Sequence, residues 1–399
     1  MVRDFVSERL CRIPRRDVTA FDSVIATVAS WNGIDGSERH LTAEFRRRFG
    51  YAGAYSTGSG RDGLRGILRA VKGRVTPRAW VPAWTIAAVV RIFEEEGFEV
   101  RFVDVDPASL CLTPAIVERQ CVEPGLLLVT HYFGLPADMK SICRLAARSG
   151  LKIIEDCAHT PCTPCCGRPV GSFGLAGFLS FETRKPLNGL GGGMIVTNNA
   201  ATETALTAAH PARSNGLSRD LMKLLMTSSE WAALRRPIFS LAAPALYARH
   251  PARALVSLYR LFHARGRSGD TALSDLQSAL VLSQLDGLEA AIDHKRGLAS
   301  VYDRKLPAAF SRPLDPAQRP HGYYMYVTTH PEAEKVGRRL RDMGIDCGIG
   351  PEVLQRCDTD GSCPGAAELV RTAIELPMYN ALTPADCERV CAAAARALR

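Results

Sequence analysis

The chain of 399 residues has few aromatic side chains, no long uncharged apolar run and no apolar segment at its N-terminus. Aromatic residues make up 7% of the composition, against 46% hydrophobic and 23% charged residues, which excludes the disordered and low-complexity classes. The longest apolar run, 237–248, has 12 residues, whereas a membrane-spanning helix needs about 20. Residues 1–17 carry charges where a signal peptide has its apolar core, so we expect a cytoplasmic protein without a membrane span.

The cysteines lack the even number of a disulfide framework. There are 13 of them, spread from Cys11 to Cys391, which is typical of free thiols in a reducing compartment. The cluster of Cys162, Cys165 and Cys166 has no second cysteine or histidine pair at the spacing of metal ligands. We therefore expect thiols at this cluster and no metal or iron–sulfur centre.

Acidic residues are outnumbered, since 50 lysine and arginine residues face 41 aspartate and glutamate residues, a net charge of +9. This balance indicates an acidic partner and leaves an anionic small molecule, a membrane surface or nucleic acid open. Nucleic acid is disfavoured because the basic residues do not alternate with aromatic residues that could stack on bases. The basic, aliphatic stretch 218–265 is interpreted as a helical elaboration of the main domain, with contact to anionic lipid or a neighbouring subunit as the alternative.

Between residues 50 and 200, short apolar runs alternate with amphipathic segments. The runs have the length and composition of buried strands and lie at 51–56, 79–82, 100–105, 126–130, 152–156, 176–181 and 194–197. Between two of them, Asp138 can cap a helix that Gly150 would end. Strand, helix, strand in this order predicts an α/β fold with a mostly parallel sheet and helices on both faces.

The rest of the chain predicts a second, smaller domain. Its expected elements are a long helix, a strand and a second helix at 273–296, 323–328 and 332–343. Thr383 and Pro384 are residue types that open a terminal helix. We therefore divide the chain into a large domain, 1–265, and a small C-terminal α+β domain, 266–399.

Three segments at the ends of predicted strands carry side chains suited to chemistry, because an open parallel sheet gathers its ligand there. Segment 57–64 (TGSGRDGL) is a glycine-rich turn running into a helix, whose free N–H groups suit a phosphate. Segment 153–159 (IIEDCAH) ends a strand in Asp156 and places His159 three residues later. A buried carboxylate there needs a cationic partner, such as a protonated pyridine nitrogen. Alone, Asp156 could equally cap a turn, and His159 could be an ordinary core histidine.

The third segment, 178–194 (FLSFETRKPLNGLGGGM), places Lys185 between a strand and a glycine run. The backbone is tightly held at such a place, so the amine can be directed inward. A lysine that acts as a Schiff-base nucleophile must shed its proton, which partial burial and nearby cations favour. The alternative is a solvated surface lysine beside Arg184.

Taken in order, the motifs resemble a known family. The chain contains in succession the glycine-rich turn, PAWT at 82–85, HYFG at 131–134, ED at 155–156, GSFG at 171–174, SF at 180–181 and Lys185. The segments LSDLQSAL at 273–280 and IELPMY at 374–379 extend the match through nearly the whole chain. The sequence is similar to the DegT/DnrJ/EryC1/StrS family of pyridoxal-phosphate-dependent sugar aminotransferases.

The resemblance implies a fold-type I transferase that binds pyridoxal 5′-phosphate and forms a homodimer with shared active sites. It implies that Lys185 forms the Schiff base with the cofactor and then moves a proton at the substrate carbon. Asp156 would pair with the pyridinium nitrogen and keep it protonated. His159 would lie near the phenolate oxygen of the cofactor.

The resemblance also assigns the phosphate to the Ser180 hydroxyl and to the backbone N–H groups of Gly60 and Arg61. One departure concerns the ring of the cofactor. Ile86 stands where the family usually has an aromatic residue stacked on that ring, and Trp84 lies two positions earlier. We expect Ile86 to pack on the ring, with Trp84 as the alternative.

A second departure concerns the neighbouring subunit. The family often supplies an Asn to the phosphate from an Asn-x-Arg segment, and this chain has Asp270 and Ala272 at those positions. An aspartate that faces a phosphate is unfavourable, so the contact is either absent or made by a residue such as Arg267. The homodimer itself stays expected.

The expected reaction is a ping-pong transfer of an amino group from an amino acid, L-glutamate in the first place, to a nucleotide-linked keto sugar. A pyridoxamine-dependent sugar dehydratase is disfavoured, because that chemistry goes with a histidine in place of Lys185. The alternative from another class is a non-catalytic scaffold or membrane-associated partner that uses 218–265 as its docking surface.

Overall fold

The computed structural model describes residues 13–19, 21–29, 35–209, 217–236, 238–240, 271–313 and 319–399. Within these ranges no helix is long and apolar enough to cross a membrane. Helices α1 to α8 are Phe21–Ala29, Ser37–Phe49, Gly60–Val71, Ala87–Glu95, Pro114–Gln120, Met139–Arg148, Ala200–Ala209 and Leu217–Leu234. Helices α9 to α13 are Asp275–Leu285, Leu288–Lys305, Ala333–Asp342, Pro364–Thr372 and Pro384–Ala397.

Strands β1 to β10 lie within the predicted large domain, 1–265. They are Gly53–Thr57, Arg78–Pro82, Trp84–Thr85, Glu99–Val103, Gly125–Thr130, Leu151–Asp156, Pro164–Cys165, Arg168–Pro169, Ala176–Ser180 and Gly193–Thr197. Strands β11 to β14 are Tyr326–Thr329, Gly348–Ile349, Gln355–Arg356 and Ala373–Leu376.

Seven strands form the central sheet in the order β1-β10-β9-β6-β5-β2-β4. Strand β10 runs antiparallel to both of its neighbours, and the other adjacent pairs are parallel. The seven predicted strands are confirmed, each end lying within two residues of its expected position. The prediction of an α/β fold with a mostly parallel sheet is confirmed as well.

Both faces of the sheet are buried, as its interior strand β5 shows. Leu127 and Val129 pack into one apolar cluster with residues of α2 and α6. Leu126 and Leu128 pack into a second cluster with residues of α3 and α4. Because helices cover both faces, the strands are continuously apolar rather than alternating, and this is the pattern that made them visible in the sequence.

The predicted helix ends are confirmed where a capping side chain was identified. Asp138 Oδ1 accepts a hydrogen bond from Ser141 N (3.1 Å) at the start of α6. Thr383 and Asp386 form a reciprocal capping box at the start of α13. The single helix expected over 273–296 is wrong, because the chain turns at Gly287 and forms α9 and α10 instead. Glycine has a low helix propensity, and the turn lets α9 pack on α1 and α2 while α10 enters the small domain.

The small domain is built on a three-stranded antiparallel sheet with the order β11-β14-β12. Tyr302 of α10, Leu340 of α11 and Val390 of α13 pack against Ile374 of β14 in one apolar core. Segment 13–19 joins this domain through a bridge between Ile13 and Ile345. The predicted boundary at residues 265 and 266 lies outside the described residues, and the division into 1–265 and 266–399 stays a prediction.

Candidate active site

The carboxyl ends of neighbouring strands bring the predicted site residues to one edge of the central sheet. Asp156 ends β6, and Ser180 ends the adjacent strand β9. Lys185 lies in the loop that joins β9 to β10, which we call the lysine loop (residues 181–192). Ser59, directly before α3, forms a β-bridge with Gly192 at the end of the same loop. The glycine-rich turn, the acid and the lysine therefore converge on one place.

The first turn of α3 forms a cradle suited to an anion. Ser59 caps the helix, and its Oγ accepts a hydrogen bond from Asp62 N (3.1 Å). A Cβ atom on Gly60 would lie 3.1 Å from Ser180 Cβ, so the backbone of this turn passes close against Ser180 and a side chain would be crowded. Arg61 is exposed on the same turn. Helix N–H groups with an adjacent hydroxyl are a typical phosphate site.

Asp156 offers a carboxylate oxygen to the site. Its Oδ1 accepts a hydrogen bond from Ala158 N (3.0 Å), and its Oδ2 has no hydrogen bond to any described residue. Burial raises the pKa of Asp156, while the Ala158 N–H and the positive charge of Lys185 act in the opposite direction. A cationic N–H group placed against Oδ2 would relieve this burial cost.

The neighbouring acid, Glu155, has a different environment. It is fully buried, and its oxygens accept hydrogen bonds from Gly171 N (2.7 Å), Phe173 N (2.7 Å) and Gly174 N (3.0 Å). His131 lies 3.2 Å away through Nε2 and accepts from Ala137 N through Nδ1, so Nε2 carries the proton that faces Glu155. Glu155 thus organises the GSFG turn at 171–174 and does not face the site.

His159 is held as a neutral hydrogen-bond donor. Burial lowers its pKa well below the ordinary value, and the charges of Lys185 and Arg16 lower it further. Nδ1 accepts a hydrogen bond from Phe133 N (3.4 Å), which leaves the proton on Nε2. The His159 and Phe133 rings stack at 19° with centroids 5.8 Å apart.

Two glutamines of α9 fix the lysine loop. Gln277 Nε2 donates to Gly189 O (3.0 Å), and Gln284 Nε2 donates to Asn188 O (2.6 Å). Asn188 N in turn donates to Gln284 Oε1 (2.9 Å). The two glutamines are seven residues apart, which places them on one helix face. The LSDLQSAL motif therefore acts on the lysine loop through α9.

Helix α8 holds the other side of the same loop. Arg184 Nε pairs with Glu230 Oε1 of α8 at 3.2 Å, so Arg184 is directed away from the neighbouring lysine. The Trp231 ring stacks on Phe21 of α1 with centroids 4.5 Å apart. The described part of the basic stretch 218–265 is thus packed on the main domain, and residues 241–265 lie outside the described ranges.

Two residues beside the site, Tyr324 and Arg16, are not among the residues predicted from the sequence. The Tyr324 ring from the small domain lies 4.8 Å from Lys185 Nζ and 4.6 Å from the His159 ring. Arg16, in the N-terminal segment, lies 5.9 Å from the Tyr324 ring and pairs with Glu375 through two hydrogen bonds (2.5 and 2.8 Å). Neither residue belongs to a motif of the large domain, so no local pattern points to them.

Ile86 and Trp84 occupy contrasting environments. Ile86 is 45% exposed and stands directly before α4. Trp84 is fully buried, and its ring stacks on Tyr132 at 5.5 Å and meets Phe133 edge-on at 5.3 Å. Of the two, Ile86 therefore keeps the exposed surface that the predicted contact with a bound ring needs.

Two further predictions concern the neighbouring subunit and the cysteines. Arg267 and Asp270 lie outside the described residues, and Ala272 is buried.

Cys166 is exposed, the other two cysteines of its cluster are buried, and the described cysteines are free thiols. In the part of the chain that the structure describes, one group of potential metal ligands comes within 4.8 Å, and it consists of His131, Glu155 and Cys157.

The donor set fits pyridoxal phosphate. The helix cradle suits the phosphate, the open oxygen of Asp156 suits the protonated ring nitrogen, and the Nε2–H of His159 suits the phenolate oxygen. Lys185 supplies the amine that this cofactor needs.

Comparisons with known proteins agree with this geometry. Residues 17–395 match the model of the DegT/DnrJ/EryC1/StrS aminotransferase family. A UDP-N-acetyl-3-dehydro-α-D-glucosamine 3-aminotransferase of Acidithiobacillus ferrooxidans is 26% identical over 369 residues, which cover 90% of this chain and 88% of that protein. The L-glutamine:scyllo-inosose aminotransferase of Streptomyces griseus is 34% identical over 184 residues, which cover 45% of this chain and 42% of that protein.

Solved structures show the same fold. The aminotransferase TlmJ from Streptoalloteichus hindustanus superimposes with a TM-score of 0.74 at 22% identity, over 97% of this chain and 98% of that one. The chain belongs to the DegT/DnrJ/EryC1/StrS family, and it is a pyridoxal-phosphate-dependent aminotransferase.

Proposed function

We propose that the protein transfers an amino group from an amino acid to a keto sugar by a ping-pong mechanism. The observation that carries the proposal is the convergence of Lys185, Asp156 and His159 beside the α3 cradle. When bound, the cofactor supplies an electron sink for the reacting carbon. The chain's own residues then have to bind that group, orient it and move one proton.

Each site residue has a task that its surroundings support. Lys185 Nζ takes the proton from the donor α-carbon in the first half-reaction and delivers one to the acceptor carbon in the second, because it is the one amine placed in the lysine loop. Asp156 Oδ2 would keep the proton on the ring nitrogen. His159 would donate from Nε2 to the phenolate oxygen, and Ile86 would pack on the ring. Ser180 and the N–H groups of Gly60 and Arg61 would hold the phosphate, at the positive end of α3.

The acceptor we propose is a nucleotide-linked keto sugar, and the donor is L-glutamate. The net charge of +9 is compatible with a diphosphate-bearing acceptor. The relative that covers 90% of the chain is named for a UDP-linked sugar. The relative named for L-glutamine and scyllo-inosose matches 45% of the chain. The alternative donor and acceptor are therefore L-glutamine and a cyclitol ketone that carries no nucleotide.

The first experiment is the absorption spectrum of the purified protein, before and after addition of L-glutamate or L-glutamine without acceptor. We expect a yellow cofactor band that L-glutamate bleaches to the pyridoxamine spectrum. If only L-glutamine bleaches the band, the donor is L-glutamine and not L-glutamate. No cofactor band after incubation with pyridoxal phosphate would overturn the proposal in favour of a non-catalytic scaffold.

Lys185→Ala is the matched variant for this experiment. The amine lies in a loop and contributes little to the core, so the variant should fold. It should lose the cofactor linkage that borohydride reduction fixes in the wild type. A normal reducible linkage in the variant would show that another lysine carries the cofactor.

We further propose that the active form is a homodimer. In support, α8 presents Leu221, Met222 and Leu225 with half or more of each side chain exposed. Light scattering after size exclusion should give twice the 43.4 kDa chain mass. Leu225→Glu should weaken the dimer, while Val122→Glu, at another exposed apolar position, should not. A monomer that sediments with phosphatidylserine vesicles would favour a lipid surface as the partner of this face.

A further inference from the structure

The small domain places one aromatic side chain between two active-site residues of the large domain. Tyr324 is 7% exposed. Its ring centroid lies 4.8 Å from Lys185 Nζ and 4.6 Å from the centroid of His159. The distance to the amine is within the range of a cation–π interaction, which extends to about 6 Å.

The ring is fixed from behind. The neighbouring Met325 N donates to Phe133 O (3.3 Å), which ties the strand entry to the large domain. Arg16 lies on the same ring at 5.9 Å, and its charge is paired with Glu375. Arg16 Nη2 also contacts Met325 Sδ at 3.6 Å. Because the ring has little freedom, it can hold the lysine and not merely follow it.

We propose that Tyr324 is a positioning residue whose ring face holds the Lys185 amine at the site whenever that amine is not covalently engaged. The inference rests on the proposed function, in which Lys185 must be released and then act on the substrate carbon. A free lysine side chain has several rotatable bonds, and water competes for its charge. Contact with the Tyr324 ring face restricts the rotation of the released side chain and replaces water beside its charge, so the amine stays near the site.

The ring face carries this role, and the hydroxyl does not. Tyr324→Phe keeps the face and should therefore behave as the wild type. Tyr324→Leu removes the face and leaves most of the apolar volume. Tyr324→Met is the second variant of this kind, should the leucine variant fail to fold.

The test measures the accessibility of the amine in the full-length protein freed of cofactor. A trace of acetic anhydride labels free amines, and peptide mass spectrometry compares Lys185 with the exposed Lys152. We expect Tyr324→Leu to raise the Lys185 to Lys152 labelling ratio about three- to tenfold, since the ring covers the amine and restricts the approach of the reagent. Tyr324→Phe should stay within about twofold of the wild type.

A matched control separates this effect from loosened packing. Phe310→Leu also removes a buried ring from the small domain, and Phe310 contacts His330 rather than the site. Its labelling ratio should equal that of the wild type. A wild-type ratio in Tyr324→Leu would overturn the proposal, and so would an equal rise in Tyr324→Phe or in Phe310→Leu.

The two proposals can fail separately. Borohydride fixation of pyridoxal phosphate at Lys185 in the wild type tests the proposed function, whereas acetylation is measured without cofactor. In the amino-donor half-reaction, Tyr324→Leu should lower the maximal rate with little change in the donor concentration at half-maximal rate. A change confined to that concentration would assign Tyr324 to substrate binding and overturn its positioning role.

Discussion

Two adjacent carboxylates of β6, Glu155 and Asp156, occupy opposite faces of the same strand end and have different tasks. Glu155 accepts hydrogen bonds from three backbone N–H groups and faces the proton on His131 Nε2. Asp156 accepts one, from Ala158 N, among the described residues. Because successive residues of a strand point to opposite faces, one acid serves the fold and the other serves the site.

The comparison shows how a fold keeps a reactive carboxylate in place. Glu155, whose two oxygens both accept hydrogen bonds, links the 171–174 turn and His131 to the end of the strand. It thereby holds the backbone from which Asp156 projects. The Ala158 N–H and the charge of Lys185 offset only part of the burial cost of Asp156, and a cationic ligand nitrogen can offset the rest. Substitutions at the two positions should therefore separate activity from stability.

Asp156→Asn should give the largest change in activity. An amide cannot hold a proton on the ring nitrogen as a carboxylate does, so we expect the transamination rate to fall by about 10² to 10⁴. Burial raises the pKa of Asp156, which means that its ionised form costs stability and that the cost grows as the pH rises above the unfolded value of 3.8. The melting temperature at neutral pH should hence stay level or rise. A large loss of melting temperature would place Asp156 with Glu155 as a structural residue.

Glu155→Gln should have the reverse pattern. In either amide orientation the NH₂ group would face a backbone N–H group, because Oε1 and Oε2 both accept such bonds. Loss of one partner from a buried charged network costs about 3 to 5 kcal/mol of unfolding free energy. Urea denaturation measures this loss, and activity per folded molecule should change by a small factor. Wild-type stability would contradict the structural role of Glu155.

The sequence predicted the strand ends and their motif residues because those signals are local. Gly60, Asp156, Ser180 and Lys185 each follow or end an apolar run, and the parallel topology then gathers them. Tyr324 could not be found in this way, because it reaches Lys185 across the domain interface and 139 positions along the chain. Nor could the sequence distinguish Glu155 from Asp156 in the ED pair, since their difference depends on partners from the turn at 171–174.

A third buried charge sharpens the comparison, because none of the described residues compensates it. Lys295 of α10 is 6% exposed, and it forms no hydrogen bond or ion pair with the residues that the structure describes. Burial lowers its pKa from 10.5 to about 8. Glu155 is a buried acid whose oxygens accept backbone hydrogen bonds. Lys295 is a buried amine without such bonds to the described residues, and its lowered pKa reflects the cost of removing the charge from water.

Lys295→Met should stabilise the protein, and the gain should depend on pH. The folded pKa is below the unfolded one, so the unfolded chain binds more protons between about pH 8 and 10.5 and wild-type stability rises across that window. The expected gain is about 3 kcal/mol at pH 7 and between about 1 and 2 kcal/mol at pH 9.5. Denaturant unfolding at both pH values measures it.

Lys305→Met, which removes an exposed pair with Glu388 from the same helix, should change stability by about 1 kcal/mol or less at either pH. An equal gain at both pH values would show that the Lys295 ammonium is not what limits stability there, and that the better packing of methionine is.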